Sequence, residues 1–352
     1  MFFIHDTSCI SAQQTFAENI FLQLDEAQLN EPVNKKYMAA EPTYAEIPPG
    51  ILRRMGRSVR FGIGTAMPLI QKMKTAPDGF IIGTSIGGME DCIKFLNQII
   101  EYKEGQLTPT NFVQSTPNAV AGQLGLLTKN KGYNITHVHR GFSFEAAAID
   151  AAMMIKEKPK TTFLLGTMDE ISSYHYNIER LEGLYKDEEV GIKDFYTTAT
   201  KGTVAGEGAA MFIVNGEAAG AKAQLKDIHI FHSTDAHLVT TQLQDFIRRN
   251  NIATNELLVL TGENGDNRTQ HFYSEIESGF SANTTIARYK HLCGEHPTTP
   301  SFACWIATEI LQQQLLPDHM LKQKGNALIK QALIYNHYKG EQHSFMLLEA
   351  NR

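Results

Sequence analysis

The sequence predicts an α/β protein, and three observations carry that prediction. Short β-branched and aromatic runs alternate with longer segments whose apolar residues recur at three- and four-residue steps, the pattern of strands alternating with helices. Turns rich in Gly, Pro, Asn and Asp separate the runs. The 352 residues suffice for two ordinary domains or one large one, and 42% hydrophobic with 20% charged residues is the composition of a cored globular chain.

Taken in order, the first strand is FFI at 2–4, and the segment 30–50, marked by Pro32, Pro42, Pro48 and Pro49, is a long loop. FIIG at 80–83 is a strand leading into a helix over 88–104. YNITHV at 133–138, a helix over 143–158 and the strand TTFLLG at 161–166 follow. The charged stretch KDEEVGIKD at 186–194 reads as a solvated loop, and AAMFIV at 209–214 as a strand. The character changes near Gly216 to Lys222, before QLKDIHIF, which sets two halves, 1–218 and 219–352. The second half holds helices over 234–250, 269–279 and 301–316, with strands ELLVL at 256–260, ALIYNHY at 332–338 and SFMLLE at 344–349. Neither half contains a short-period repeat.

Charge and composition exclude several classes of function. Lys and Arg number 32 against 38 Asp and Glu, a net charge of −6 with no basic run, so no nucleic-acid partner is expected. No stretch approaches the ~18 uninterrupted apolar residues of a bilayer crossing, and the most apolar helical stretch, Ala146 to Ile155, carries Asp150. The N-terminus lacks the basic region of a signal peptide, since the first Lys is Lys35 and the first Arg is Arg53. Cys9, Cys92, Cys293 and Cys304 form no C-x-x-C pair. A cytoplasmic protein with reduced thiols is expected.

Two local patterns suggest chemistry. Gly83-Thr84-Ser85-Ile86-Gly87 is a G-x-S-x-G between a strand and a helix, the context of a nucleophile elbow, for which Asp169 and His296 are the triad candidates. The competing reading is a Gly-rich turn packed closely against another element. His291-x-Cys293-x-x-His296 has metal-ligand residue types but fewer than a zinc site needs, and no metal or cofactor is expected.

Several segments together resemble the β-ketoacyl synthases of the thiolase superfamily. IHDTSCIS at the start resembles their first strand and turn, and IIGTSIGGMED at 81–91 is similar to their "GTGIGG" turn. STPNAVAGQLGL at 115–126 resembles the helix before the nucleophile strand, and AGEGAAMFIV at 205–214 is similar to "GEGAGMLVLE". The resemblance runs from residue 2 to about 348 and implies a thiolase-like layered αβαβα sandwich of two related halves.

In that family a Cys thiolate accepts the acyl chain, and two His with a nearby Lys support decarboxylation and the oxyanion. Aligning the "A-I-x-x-A" helix on Ala148 to Ala152 puts the nucleophile slot at Phe142, within one residue, and no cysteine occurs over 139–145. Ser143 is the nearest hydroxyl and reads as a helix N-cap. The "H-G-T-x-T" histidine is matched by Asn264, the Lys of "K-x-x-x-x-H" by Lys290 and its His by Glu295, with His296 one residue off. Arg140, Glu145, Lys290 and Glu295 are expected as a salt-bridged remnant of the pocket. Phe142, Phe144, Tyr338 and His296 are the expected substrate-facing positions, and the C-terminal Gly-rich loop is shortened to Asn336-His337-Tyr338-Lys339-Gly340.

With the nucleophile and both histidines substituted, the resemblance is to chain-length factors, here of the aryl-polyene or flexirubin type, through the stretch K-H-L-C-G-E-H-P-T at 290–298. It implies an acyl carrier protein and either an active ketosynthase subunit or a second copy as partners, with an interface at 133–138. Three readings stay open beside it: an acyltransferase with another nucleophile, a serine hydrolase on Ser85, and a homodimeric acyl-binding protein.

Overall fold

The computed structural model describes residues 1–16, 21–325 and 328–351. In the first half the strands are β1 (Phe2–Ile10), β2 (Lys36–Tyr37), β3 (Gly79–Gly83), β4 (Tyr133–His137), β5 (Phe163–Asp169), β6 (Ala205–Gly206) and β7 (Gly208–Asn215). Its helices are α1 (Pro49–Leu52), α2 (Arg57–Lys72), α3 (Met89–Glu101), α4 (Pro109–Gln114), α5 (Ala119–Thr128), α6 (Ser143–Glu157) and α7 (Ser173–Leu181). The second half contributes β8 (Ala223–His232), β9 (Leu257–Thr261), β10 (Thr285–Arg288), β11 (Leu321–Gln323), β12 (Gln331–Tyr338) and β13 (Gln342–Ala350). Its helices are α8 (Ala236–Asn250), α9 (Gln270–Ser278), α10 (Lys290–Cys293) and α11 (Thr299–Gln313).

Strands that are apolar on both faces need cover on both faces, and the layering supplies it. The order β4-β3-β5-β7-β1 in the first half recurs as β10-β9-β12-β13-β8 in the second. Even the strand senses match: β3 lies parallel to β4 and β5, and β9 to β10 and β12, while the remaining neighbours are antiparallel. The two sheets meet where Phe2 to Ile4 of β1 pair with Leu225 to Ala223 of β8.

Helices α6 and α11 lie between the sheets and touch strands of both halves. An interior helix must be narrow or apolar all round. In α6 the buried positions include Ala147, Ala148, Ala151 and Ala152, and α11 is buried continuously from Thr299 to Leu311. α2 and α5 cover the outer face of the first sheet, and α8 and α9 that of the second. The result is the layered αβαβα sandwich of two related halves. Among the described residues no helix is long and apolar enough to cross a membrane.

Several elements were not foreseen, and one expectation is revised. α2 was not expected, because Gly62, Gly64 and Pro68 interrupt its helical signal. Packing explains both glycines: a Cβ at Gly62 would strike Val120 and one at Gly64 the Tyr44 ring. Strands β8 and β10 and helix α7 likewise went unassigned. The stretch 186–194 is a loop that is solvated only in part: Asp187, Glu189, Lys193 and Asp194 are exposed, while Lys186, Val190 and Ile192 are buried. Lys186 Nζ donates to Thr200 Oγ1 at 2.8 Å and to the Thr198 and Thr200 carbonyls.

Candidate functional site

Close backbone contact builds the site. Gly206 N–H donates to the Glu295 carbonyl at 2.9 Å, and Glu295 N–H to the Val204 carbonyl at 2.8 Å. A Cβ at Gly206 would collide with the Cys293 carbonyl, and Gly294 has φ +67° against the Ala205 backbone. Glu207 completes the motif, accepting from Ile171 N–H, Ala39 N–H and the Arg57 guanidinium. The A-G-E-G run therefore fixes where Glu295 stands.

There Lys290, Glu295 and Asn264 come together. Lys290 Nζ lies 2.6 Å from Glu295 Oε1 and donates to Thr299 Oγ1 at 2.7 Å, with both charged side chains buried. Asn264 Nδ2 donates to Glu295 Oε2 at 3.0 Å, and Asn264 Oδ1 accepts from Asp266 N–H. Both carboxylate oxygens are thus engaged. The expected Lys290–Glu295 ion pair is present, and it is the only part of the expected four-residue remnant that is. Arg140 is exposed with φ +49°. Glu145 is fully buried on α6, and neither carboxyl oxygen has a partner of good hydrogen-bond geometry, although the Ser344 hydroxyl leans on it. Burial pushes its carboxyl up to about 7, against the pull of Ser344 and Lys290.

A cavity of about 240 Å³ opens beside this cluster, with Asn264, Glu295, His337 and Tyr338 buried in its wall and the Arg268 and Lys339 side chains partly exposed. Tyr338 ends β12 at a tight hairpin of three loop residues, Lys339 to Glu341, in which Lys339 and Gly340 both have positive φ. Its other side lies over Gly141, where a Cβ would strike it. Gly141 N–H donates to Gln342 Oε1 at 3.0 Å, so the hairpin clamps the turn before α6.

The other three residues expected to face substrate lie outside this cavity. Phe142 is buried edge-on between His139 and His232, with centroids 5.6 and 5.1 Å away, and does not line the cavity. Phe144 packs on Phe212 in the central core. His296 lines a separate void of about 10 Å³, and burial drives its imidazole down to about 3. Ser143 is the first residue of α6 rather than its cap, which is Phe142. Its Oγ accepts from His139 N–H and lies 3.0 Å from the Thr84 carbonyl and 2.8 Å from that of Arg140.

The other motifs serve structure. Asp169 Oδ1 accepts from Thr84 Oγ1 and from Ser85 and Ile86 N–H, and Oδ2 from Thr298 Oγ1, so its carboxylate anchors the turn. Among the described residues no histidine bonds Ser85. His291 pairs with Tyr196 and His319, and Cys293 Sγ with the Gly294 carbonyl, while His296 Nδ1 meets Thr298 Oγ1. Among the described residues no group of three ligating side chains is placed to hold a metal. Burial raises the thiols of Cys9, Cys293 and Cys304 and keeps them protonated. Sequence reasoning missed His337 as a cavity residue; its imidazole interrupts the apolar run of β12, a signal that was there to read.

Comparison with known proteins places this geometry. Residues 26–187 match the family model of the β-ketoacyl synthase N-terminal domain. No curated protein matches the sequence. A β-ketoacyl synthase from Burkholderia phymatum is similar in structure, at 16% identity and TM-score 0.79, with 100% of this chain and 99% of that chain covered. The ishigamide ketosynthase/chain length factor is similar at 12% identity and TM-score 0.78, covering 99% and 98%. So is the ketosynthase ApeO in complex with its chain length factor ApeC from Xenorhabdus doucetiae, at 13% identity and TM-score 0.77, covering 99% and 98%. The match over residues 26–187 and the whole-chain likeness to these structures show that the chain has the fold of the β-ketoacyl synthases.

Proposed function

We propose that this protein is a chain-length-factor-like subunit: a ketosynthase scaffold without condensing chemistry that pairs with an active ketosynthase and helps to position cargo delivered by an acyl carrier protein in fatty acid or polyketide synthesis. The halves 1–218 and 219–352 are its two scaffold units, and it works in the cytoplasm. The observation that carries the reading is the closed Lys290–Glu295–Asn264 cluster, in which the groups at the family's catalytic positions bond one another. A carboxylate engaged on both oxygens accepts hydrogen bonds and offers no donor to an oxyanion. The nucleophile slot holds Phe142, turned away from the cavity, and the nearest thiol to the cluster, Cys293, is buried and protonated.

Two features support a partner. Strand β4 is a sheet edge, and an unpaired edge invites association. The helices on either side of it leave Leu126 and Met153 exposed, and Val138 beyond its end is exposed too. The structural relatives include a ketosynthase with its chain length factor and a carrier protein in complex with its ketosynthase, the two kinds of partner proposed here.

The chemistry is tested by incubating the purified chain with acyl carrier thioesters and mapping adducts by mass spectrometry. No acylated peptide is expected. A stoichiometric adduct on Ser143, Cys293 or Ser85 would establish an acyl-transferring enzyme instead.

A further inference from the structure

The fold gathers lysines that the sequence scatters. Strands β4, β3 and β5 are parallel neighbours with Tyr133, Gly79 and Phe163 in register, so the segments that lead into them, 73–78, 129–132 and 156–162, meet at one pole of the first sheet. The segments touch: Asp78 N–H donates to the Thr162 carbonyl at 2.7 Å, Thr162 N–H to Asp78 Oδ2 at 2.8 Å, and Asn130 Nδ2 to the Pro77 carbonyl. They carry Lys74, Lys129, Lys131, Lys156, Lys158 and Lys160, all exposed. None of these six ammonium groups has a hydrogen bond or ion pair among the described residues. The acids on the three segments are Asp78, held by Thr162, and Glu157, which leaves an excess of four positive charges on a chain of net charge −6. Glu217, in the adjoining turn where Gly216 N–H donates to the Pro159 carbonyl, lowers that excess to three.

Helix dipoles explain part of the cluster. Lys129 caps the C-terminus of α5, and Lys156 and Lys158 lie at that of α6, where cations are favoured. Lys74, Lys131 and Lys160 lie outside the helices. The residue types select the partner. The three segments contain lysine and no arginine, whereas protein interfaces are enriched in arginine and depleted in lysine. Arginine is likewise the residue suited to nucleic-acid phosphates, through its planar fork. Hydrated ammonium groups on flexible stems suit a surface whose anions move to meet them, and clusters of roughly four to eight basic residues mark binding to anionic lipid. No aromatic anchor occurs in the three segments, so the contact is electrostatic and reversible. We propose that this pole docks the protein on a membrane surface that contains anionic phospholipids. The docking is independent of the partner reading, because the pole lies at the ends of the strands and the β4 edge along their side.

The test is flotation of the full chain with lipid vesicles made of phosphatidylcholine alone or with about one third phosphatidylglycerol. At about 0.1 M salt the wild type should bind the anionic vesicles at least about tenfold more than the neutral ones. Raising the salt to about 1 M shortens the screening length from about 10 Å to about 3 Å and should release the protein. Lys131→Glu, Lys158→Glu and Lys160→Glu together should abolish binding. The same reversals at Lys193, Lys201 and Lys324, exposed lysines outside the pole, should leave it intact. The wild-type comparison of vesicles is informative even if the pole variant fails to fold. Equal binding to both vesicles, binding to neither, or binding that survives in the folded pole variant would overturn the proposal. So would tighter binding of polyglutamate or duplex DNA than of anionic vesicles at the same salt, since the pole would then serve another polyanion.

Discussion

Two buried charges decide much of the residue-scale behaviour. Among the described residues Glu145 has no salt-bridge partner, and burial raises its carboxyl from the usual 4.5 to about 7. A raised carboxyl pKa means that the folded state holds the proton more tightly than the unfolded one. Stability therefore falls as pH rises from about 4.5 to about 7, by an amount on the order of 3 kcal/mol. Glu170, also raised to about 7 by burial and by its acidic neighbours, adds to the same trend. Glu145→Gln should flatten the profile and leave the protein more stable than wild type at pH 8, as thermal unfolding at pH 5 and 8 would show. An unchanged pH dependence would mean that the carboxyl is solvated.

Substitution of Glu295 has the opposite effect on stability. Its removal strands Lys290, and Glu295→Gln should cost roughly 3 kcal/mol in a denaturant titration. An unchanged midpoint would refute the structural ion pair. The Lys290–Glu295 pairing was legible because the motif spacing put both residues in one turn. The isolation of Glu145 was not, because Arg140, five residues earlier, faces solvent through a backbone kink that no residue pattern announces.

Among elements, the A-G-E-G segment matters more than its length suggests. Gly206 lies against the Cys293 carbonyl, a backbone atom that cannot swing aside as a side chain would. Gly206→Ala must therefore part β6 from the Glu295 segment. A loss of at least about 2 kcal/mol is expected, within the range for overpacking a close contact, and would appear as a lower urea midpoint. A neutral substitution would show that the two segments are looser than described.

Strands β3, β5, β7, β9, β12 and β13 were readable because each is a bounded apolar run. Helix α2 was not, because its glycines answer to Val120 and Tyr44 in other parts of the chain. The places that Phe142, Phe144 and His296 take outside this cavity were hard to read for a related reason. A family alignment gives a residue's place along the chain, but the direction of its side chain depends on packing partners such as His232 and Phe212.

At the scale of the molecule, the two halves repeat one strand order without any short-period repeat in sequence, since the repeat lies in topology and strand sense rather than in residue identity. The five-layer architecture was legible through the resemblance; the joining of the sheets through β1 and β8 was not. Edge strand β4 leaves the assembly open at one end, where an isologous or pseudo-isologous contact would extend the sheet into a neighbour. The central claim, a non-condensing partner subunit, is tested most directly by co-expressing the chain with a ketosynthase from the same genome that retains the Cys-His-His set, then measuring complex mass and product length with and without it. A one-to-one heterodimer whose products change in length when this subunit is withdrawn is the expected result. A ketosynthase that is soluble alone, makes the same products at the same rate and never binds this chain would contradict it.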